Sequence, residues 1–188
     1  MKLAYVIRLS SQLVIALGLL VGVHEGHGAD KLIGFHSART MSQAMPWIAE
    51  EAGLFRKYDL EFQLVYISSA PLVTAALLGG DAQIAISGGE AIVRAHAQGA
   101  TDLVFVGSAK NTLTHSILGK PEIKRPEDLK GKKLGISRLG SNSHYFVLQV
   151  LRRYGIEPSD LQFIQSGGQV ENLASLGLHQ PDRAVVGG

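Results

Sequence analysis

From Lys31 onward, short β-type runs alternate with helical runs, and glycine separates them. The candidate strands are Lys31–His36, Glu61–Ile67, Gln83–Ser87, Asp102–Ser108, Thr114–Leu118, Lys133–Ser137, Leu161–Gln165 and Arg183–Val186. The candidate helices are Ser42–Tyr58, Ala70–Leu78, Glu90–Ala97, Ser143–Tyr154 and Val170–Leu176, each following a strand. Such alternation over short links returns successive strands in the same direction through right-handed crossovers. It predicts an α/β fold with parallel-rich sheets.

The spacing breaks near Ala109–Arg125, where two strand-like runs follow each other without a helix and lead into Pro121, Pro126 and a charged segment. This reads as a crossing between two lobes, residues 29–109 and residues 110–188. The run Arg183-Ala184-Val185-Val186 resembles a strand just begun, and Gly187-Gly188 follow it. A second lobe with so few strands is expected to be incomplete and to leave an open edge.

The chain of 188 residues is 46% hydrophobic and 18% charged, enough apolar material for a core. Its formal net charge is +2, with no basic run interleaved with aromatics, so no nucleic-acid partner is expected. The first 28 residues follow a different logic. Lys2 and Arg8 give a positive start, Leu13 to Val23 form an apolar run, and Gly26-His27-Gly28 make a small-residue exit. This predicts a secretory signal peptide over residues 1–28, cut before Ala29, and hence a periplasmic protein. The absence of cysteine excludes a lipoprotein anchor, a disulfide scaffold and a thiolate metal site.

Enzyme motifs fare poorly. Gly135-Ile136-Ser137-Arg138-Leu139 begins like a nucleophile elbow but has Leu139 where the second glycine belongs. The seven histidines form no H-x-x-x-H pair, and there is neither a phosphate-binding P-loop nor a G-x-G-x-x-G fingerprint. No cofactor and no metal is expected. Glu50-Glu51 and Glu127-Asp128 read as a solvated helix face and as the start of a short helical turn.

Small polar residues instead collect where strands end, the rim at which parallel α/β sheets gather ligands. In the first lobe they are Ser37, Arg39, Thr40, Ser68-Ser69 and Ser87-Gly88-Gly89; in the second, Asn111, Ser141-Asn142-Ser143-His144 and Gln169. Ser141 to Ser143 stand where a helix begins, and a helix start presents unpaired N–H groups to an anion. The competing reading makes Ser141 or Asn142 a plain N-cap. The expected ligand set is Ser37, Arg39, Thr40, Ser87, Gly88, Gly89, Asn111, Ser141, Asn142, Ser143, His144 and Gln169. Arg39 and Arg138 are the rim cations able to pair with a sulfonate or carboxylate.

Several segments resemble one family. Ala49-Glu50-Glu51-Ala52-Gly53-Leu54-Phe55-Arg56-Lys57-Tyr58-Asp59-Leu60 is similar to "A-x-x-x-G-L-F-x-x-x-G-L" of the solute-binding proteins of nitrate, sulfonate and taurine importers, the SsuA/THI5-like (NMT1-like) group. Ala76-Leu77-Leu78-Gly79-Gly80-Asp81-Ala82-Gln83-Ile84-Ala85, Ala97-Gln98-Gly99-Ala100 and Pro126-Glu127-Asp128-Leu129-Lys130-Gly131-Lys132-Lys133-Leu134-Gly135-Ile136 continue the likeness, which spans Lys31 to about Asp182. It implies a periplasmic binding protein of type II, two lobes closing by a hinge on a small polar solute, working as a monomer with an ABC permease. Asp59 departs from the family's glycine, a change aspartate tolerates because it can take a left-handed turn. Family members are longer, so the chain is expected to be a fragment or a truncated product. Two other readings stay open: a lyase on the same fold, with His36, Glu90 and His144 as its candidates, and a ligand-sensing module. The pyrimidine synthases sharing this fold need a cysteine-rich motif that is absent.

Overall fold

The computed structural model describes residues 28–177 and 183–187. The expected leader therefore lies outside the described residues, Gly28 excepted. Strand β1 (Asp30–His36) is followed by a 3-10 turn (Met41–Gln43), helices α1 (Met45–Glu51) and α2 (Leu54–Lys57), strand β2 (Leu60–Tyr66), helix α3 (Ala70–Leu78), strand β3 (Ile84–Ile86) and helix α4 (Gly89–Ala97). After a long irregular stretch come β4 (Ser116–Gly119), β5 (Lys133–Ile136), α5 (Asn142–Arg153), β6 (Gln162–Gln165), α6 (Gln169–Gly177) and β7 (Arg183–Gly187). The strands form two sheets, ordered β2-β1-β3 and β4-β7-β5-β6.

In the first sheet β1 runs parallel to β3, with Phe35 opposite Ala85. Phe35, Val73 of α3 and Ala82 form the buried centre there, with Ile33, Val65 and Leu77 packed around them. In the second sheet β5 lies parallel to both β6 and β7. Strand alternation puts Leu134 and Ile136 on one face, and the i, i+4 pair Val147 and Leu151 of α5 is buried in the same cluster. Ala184 and Val186 of β7 complete it. Each Leu, Ile or Val side chain among them, fully buried, contributes about 1.5–3 kcal/mol.

The opposite face of that sheet is held by a polar clamp. Asn172 of α6 is wholly buried, and its Nδ2 donates to the carbonyls of Gly135 and Val186, both at 3.2 Å, while its Oδ1 accepts from Ser166 Oγ at 2.7 Å. Gly135 makes room for it, because a Cβ there would come within 2.6 Å of Asn172 Oδ1.

Three expectations need correction. The single helix expected over Ser42–Tyr58 is a 3-10 turn and two short helices; Gly53 separates the helices in the left-handed region, φ 68°. Asp102–Ser108 is not a strand. Its β-prone residues have no partner, because β3 ends the first sheet without pairing to them, and Val104, Phe105 and Val106 are exposed. The sheets are parallel-rich, as expected, with one antiparallel pair: β4 against β7, with Ile117 opposite Val186. Only a 3-10 turn (Pro126–Leu129) lies between β4 and β5, and β7 separates the two in the sheet. Finally, β7 is no open edge, for it lies between β4 and β5. Asp59, by contrast, does take a positive φ, 55°.

Candidate ligand-binding cleft

A cleft of about 1320 Å³ is lined by residues following the strands of both sheets. Four helix starts reach it: Ser69-Ala70 of α3, Gly89-Glu90 of α4, Ser141 to Ser143 of α5, and Gly168-Gln169 of α6. A helix start carries the positive end of the helix dipole and N–H groups without an intrahelical partner, which together favour an anionic group. Of the expected ligand set, eleven residues line the cleft: Ser37, Thr40, Ser87, Gly88, Gly89, Asn111, Ser141, Asn142, Ser143, His144 and Gln169. Arg39 does not line it; its guanidinium lies over the Tyr66 ring, 4.5 Å from the centroid.

The loop after β1 is organised by Gln43, a buried residue that the sequence pattern does not single out. Its Oε1 accepts from the backbone N–H groups of Ser37 and Ala38, both at 2.9 Å, and its Nε2 donates to Ser37 Oγ at 3.0 Å. His36, a candidate under the lyase reading, is buried off the cleft. Its Nδ1 donates to the Ala38 carbonyl at 3.2 Å, and its ring meets Trp47 edge-on at 4.6 Å.

The junction between β5 and α5 is closed on itself. The hydroxyls of Ser137, Ser141 and Ser143 lie 2.8–2.9 Å from one another. A hydroxyl has one proton to donate, so a ring of three bonds uses all three donors. Ser143 Oγ also accepts from the Ser137 backbone N–H, and Ser141 Oγ caps α5 by accepting from the His144 N–H. His144 Nδ1 accepts from the Gly140 N–H at 3.1 Å. Burial first, and Arg94 second, hold the imidazole below its usual range, in keeping with its acceptor role.

Two arginines cross between the halves. Arg94 of α4 donates to the Gly140 carbonyl at 2.5 Å, and Arg138 Nε donates to Ser69 Oγ at 3.2 Å. Ser69 sits at φ 77°, a conformation that costs a non-glycine residue about 1–3 kcal/mol. Neither partnership is visible in sequence, because Arg94 reads as a solvated helix residue and its acceptor is 46 positions away.

The junction between β3 and α4 is left open. Ser87 Oγ and Glu90 Oε1 are shielded from solvent without a hydrogen-bond partner, as are His115 Nδ1 and Gln169 Oε1. All four residues line the cleft. Buried polar atoms are satisfied in the great majority of cases, so four unpartnered atoms around one cleft stand out. Burial lifts the Glu90 carboxyl above the usual carboxylate range, against the opposing pulls of its own backbone N–H and of Arg94. Burial and Lys110 push His115 down.

Among the described residues no group of histidines and carboxylates could hold a metal ion, and no helix is long and apolar enough to cross a membrane.

The taurine-binding periplasmic protein of Escherichia coli K12 is 29% identical over 127 residues, which are 66% of this chain and 37% of that protein. The periplasmic aliphatic sulphonate binding protein SsuA of Escherichia coli superposes with a TM-score of 0.60 at 25% identity, covering 84% of this chain and 53% of that one. The alkanesulfonate-binding protein SsuA of Xanthomonas axonopodis pv. citri, bound to MOPS, gives 0.61 at 23%, over 84% and 54%. The chain thus spans roughly a third to a half of the length of these relatives. The fold is that of periplasmic binding proteins, an α/β architecture with parallel-rich sheets. The model of the NMT1/THI5 like family matches residues 42–175, and the chain belongs to that family.

Proposed function

We propose that this chain is the substrate-binding component of an ABC importer, exported to the periplasm, where it holds a small polar solute and delivers it to a membrane permease. Residues 29–109 and 110–188 act as two lobes with a hinge between them, and the protein works as a monomer. It is a binder and not an enzyme. The solute belongs to the class that includes sulfonates, nitrate and taurine.

The observation that carries this reading is that four helix starts line one cleft. That arrangement suits an anion held by backbone N–H groups. Ser37, Thr40, Ser87, Gly88, Gly89, Asn111, Asn142, His144 and Gln169 supply its polar contacts, while Ser141 and Ser143 fix the start of α5 and add what their hydroxyls can spare. The names of the relatives, taurine-binding and sulphonate-binding, support the same class.

Thermal-shift screening of the full chain against sulfonates, nitrate, bicarbonate, carboxylates and pyrimidines tests it. A true ligand raises the melting temperature with concentration, since binding at one hundred times Kd stabilises by about 2.7 kcal/mol. A concentration-dependent shift by one anionic class is expected. No shift with any of them, or turnover of the bound solute, would overturn the reading.

A further inference from the structure

We propose that Gln43 is a positioning residue for the solute: it fixes the Ser37 hydroxyl as a donor, so that the loop after β1 presents an O–H to an acceptor atom of the solute. This inference rests on the solute-binding reading and assigns, within it, the residue that sets the direction of one contact.

The orientation of the Gln43 amide follows from its neighbours. A backbone N–H can only donate, and the N–H groups of Ser37 and Ala38 both reach the same amide atom at 2.9 Å. That atom must be the oxygen, because an NH2 group there would leave two donors facing a third. The NH2 group therefore faces Ser37 Oγ, at 3.0 Å. An amide nitrogen donates and does not accept, so Gln43 gives this bond and Ser37 takes it. A hydroxyl that accepts still carries its own proton. Among the described residues nothing accepts that proton.

The surrounding fold holds both residues in place. The Ser37 N–H also reaches the Ile86 carbonyl at the end of β3, and the Ser37 carbonyl accepts from the Ser69 N–H before α3, each at 3.2 Å. Gln43 is buried, and both residues line the cleft. The contrast with the β5 to α5 junction is one of direction. The protons of Ser137, Ser141 and Ser143 are used within their own ring, whereas at Ser37 an accepting lone pair is used and the proton is left for the solute. Gln43 also anchors the loop backbone, so its two roles have to be separated by experiment.

The test is a double-mutant cycle, read by calorimetric titration of the full chain with ethanesulfonate, 2-aminoethanesulfonate and nitrate, with a melting curve for each variant. Wild type, Ser37→Ala, Gln43→Glu and the double variant are compared. The carboxylate of Gln43→Glu still accepts from both backbone N–H groups, so the loop keeps its anchor. It cannot donate, however, so its second oxygen takes the Ser37 proton and turns it from the cleft. Ser37→Ala is expected to weaken binding about tenfold in the wild-type background and about twofold or less in the Gln43→Glu background. The added charge is present on both sides of the second comparison, so its own effect on an anion cancels. An equal cost in both backgrounds, or no cost in wild type, overturns the role of Gln43 and leaves the solute-binding reading standing. A lower melting temperature in Gln43→Glu with the Ser37→Ala cost unchanged would likewise reduce Gln43 to a loop anchor. If Gln43→Glu does not fold, Gln43→Asn takes its place, since its amide is one methylene too short to hold the backbone and Ser37 together. The Ser37→Ala cost should shrink there too, and a cost equal to that in wild type would overturn the proposal. Failure of all three probes to bind would overturn both readings.

Discussion

Two helix starts face the same cleft and treat their polar groups in opposite ways. At α5, the hydroxyls of Ser137, Ser141 and Ser143 satisfy one another, and His144 accepts from Gly140. At α4, Ser87 Oγ and Glu90 Oε1 are buried with nothing to bond. A self-satisfied junction stabilises the fold and has little left to offer a solute, whereas an unsatisfied one destabilises the empty protein and has contacts in reserve. The difference teaches that polarity near a rim is a weak guide to recognition. What decides is whether the polar atoms have already spent their bonding capacity.

The comparison breaks most visibly at α5. Ser143→Ala removes two partners of Ser137, its hydroxyl's and its backbone N–H's, in a buried setting. A loss of about 1–3 kcal/mol is expected, read as a lower denaturation midpoint with an unchanged slope. A stability equal to wild type would mean that the ring contributes nothing. Asn172→Ala extends the same logic beyond the junction. It leaves Ser166 Oγ without Oδ1 and the Gly135 and Val186 carbonyls without Nδ2, and it should cost a comparable amount, about 1–3 kcal/mol.

At α4 the sign reverses. An acid whose folded pKa is raised binds its proton more readily in the folded state, so its contribution to stability falls as pH rises through that raised value. Glu90→Gln should therefore melt higher than wild type at neutral pH, and the gap should close on acidification. A lower melting point at pH 7 would sink the idea that the empty cleft is strained by this carboxylate. His144 works the other way. Its imidazole is held below its usual range, so the unfolded chain takes up the proton first, and stability falls as pH drops below about 6.5. His115 is lowered as well and adds to the same slope. The His144 share is the smallest effect expected here, because the ring is partly exposed. Replacing His144 by Asn, which keeps an acceptor for Gly140, should flatten part of the acid slope; an unchanged slope would assign it to His115 and to carboxylates elsewhere.

Much of the scaffold was legible in the sequence. Ala70–Leu78 is a helix at the bounds its pattern predicts, because Pro71 near its start and Gly79-Gly80 at its end punctuate it locally. The cleft's position was legible too, since strand ends gather at one rim in any parallel sheet. Partnership was not. Asp102–Ser108 has strand-forming residues, yet whether it forms a strand depends on a neighbouring ladder, and none lies there. The terminal run at β7 looked like an edge because nothing local tells a strand that β4 will come back beside it. Within the cleft, Ser141 and Ser143 carried a visible helix-start signal, but their mutual bonding depends on Ser137 lying across the turn. Glu90 stood out only as one titratable residue among several; its orphaned oxygen is a property of the packed cleft. Gln43, Arg94 and Asn172 act through partners that no periodicity announces.

The contrast between the two junctions meets its most direct test in one calorimetric titration series. 2-Aminoethanesulfonate is titrated into wild type, Ser143→Ala and Ser87→Ala at a temperature where all three are folded. The account predicts that Ser143→Ala keeps its Kd within about twofold of wild type while Ser87→Ala binds at least about tenfold more weakly. The opposite pattern, affinity lost with Ser143 and kept without the Ser87 hydroxyl, would contradict it.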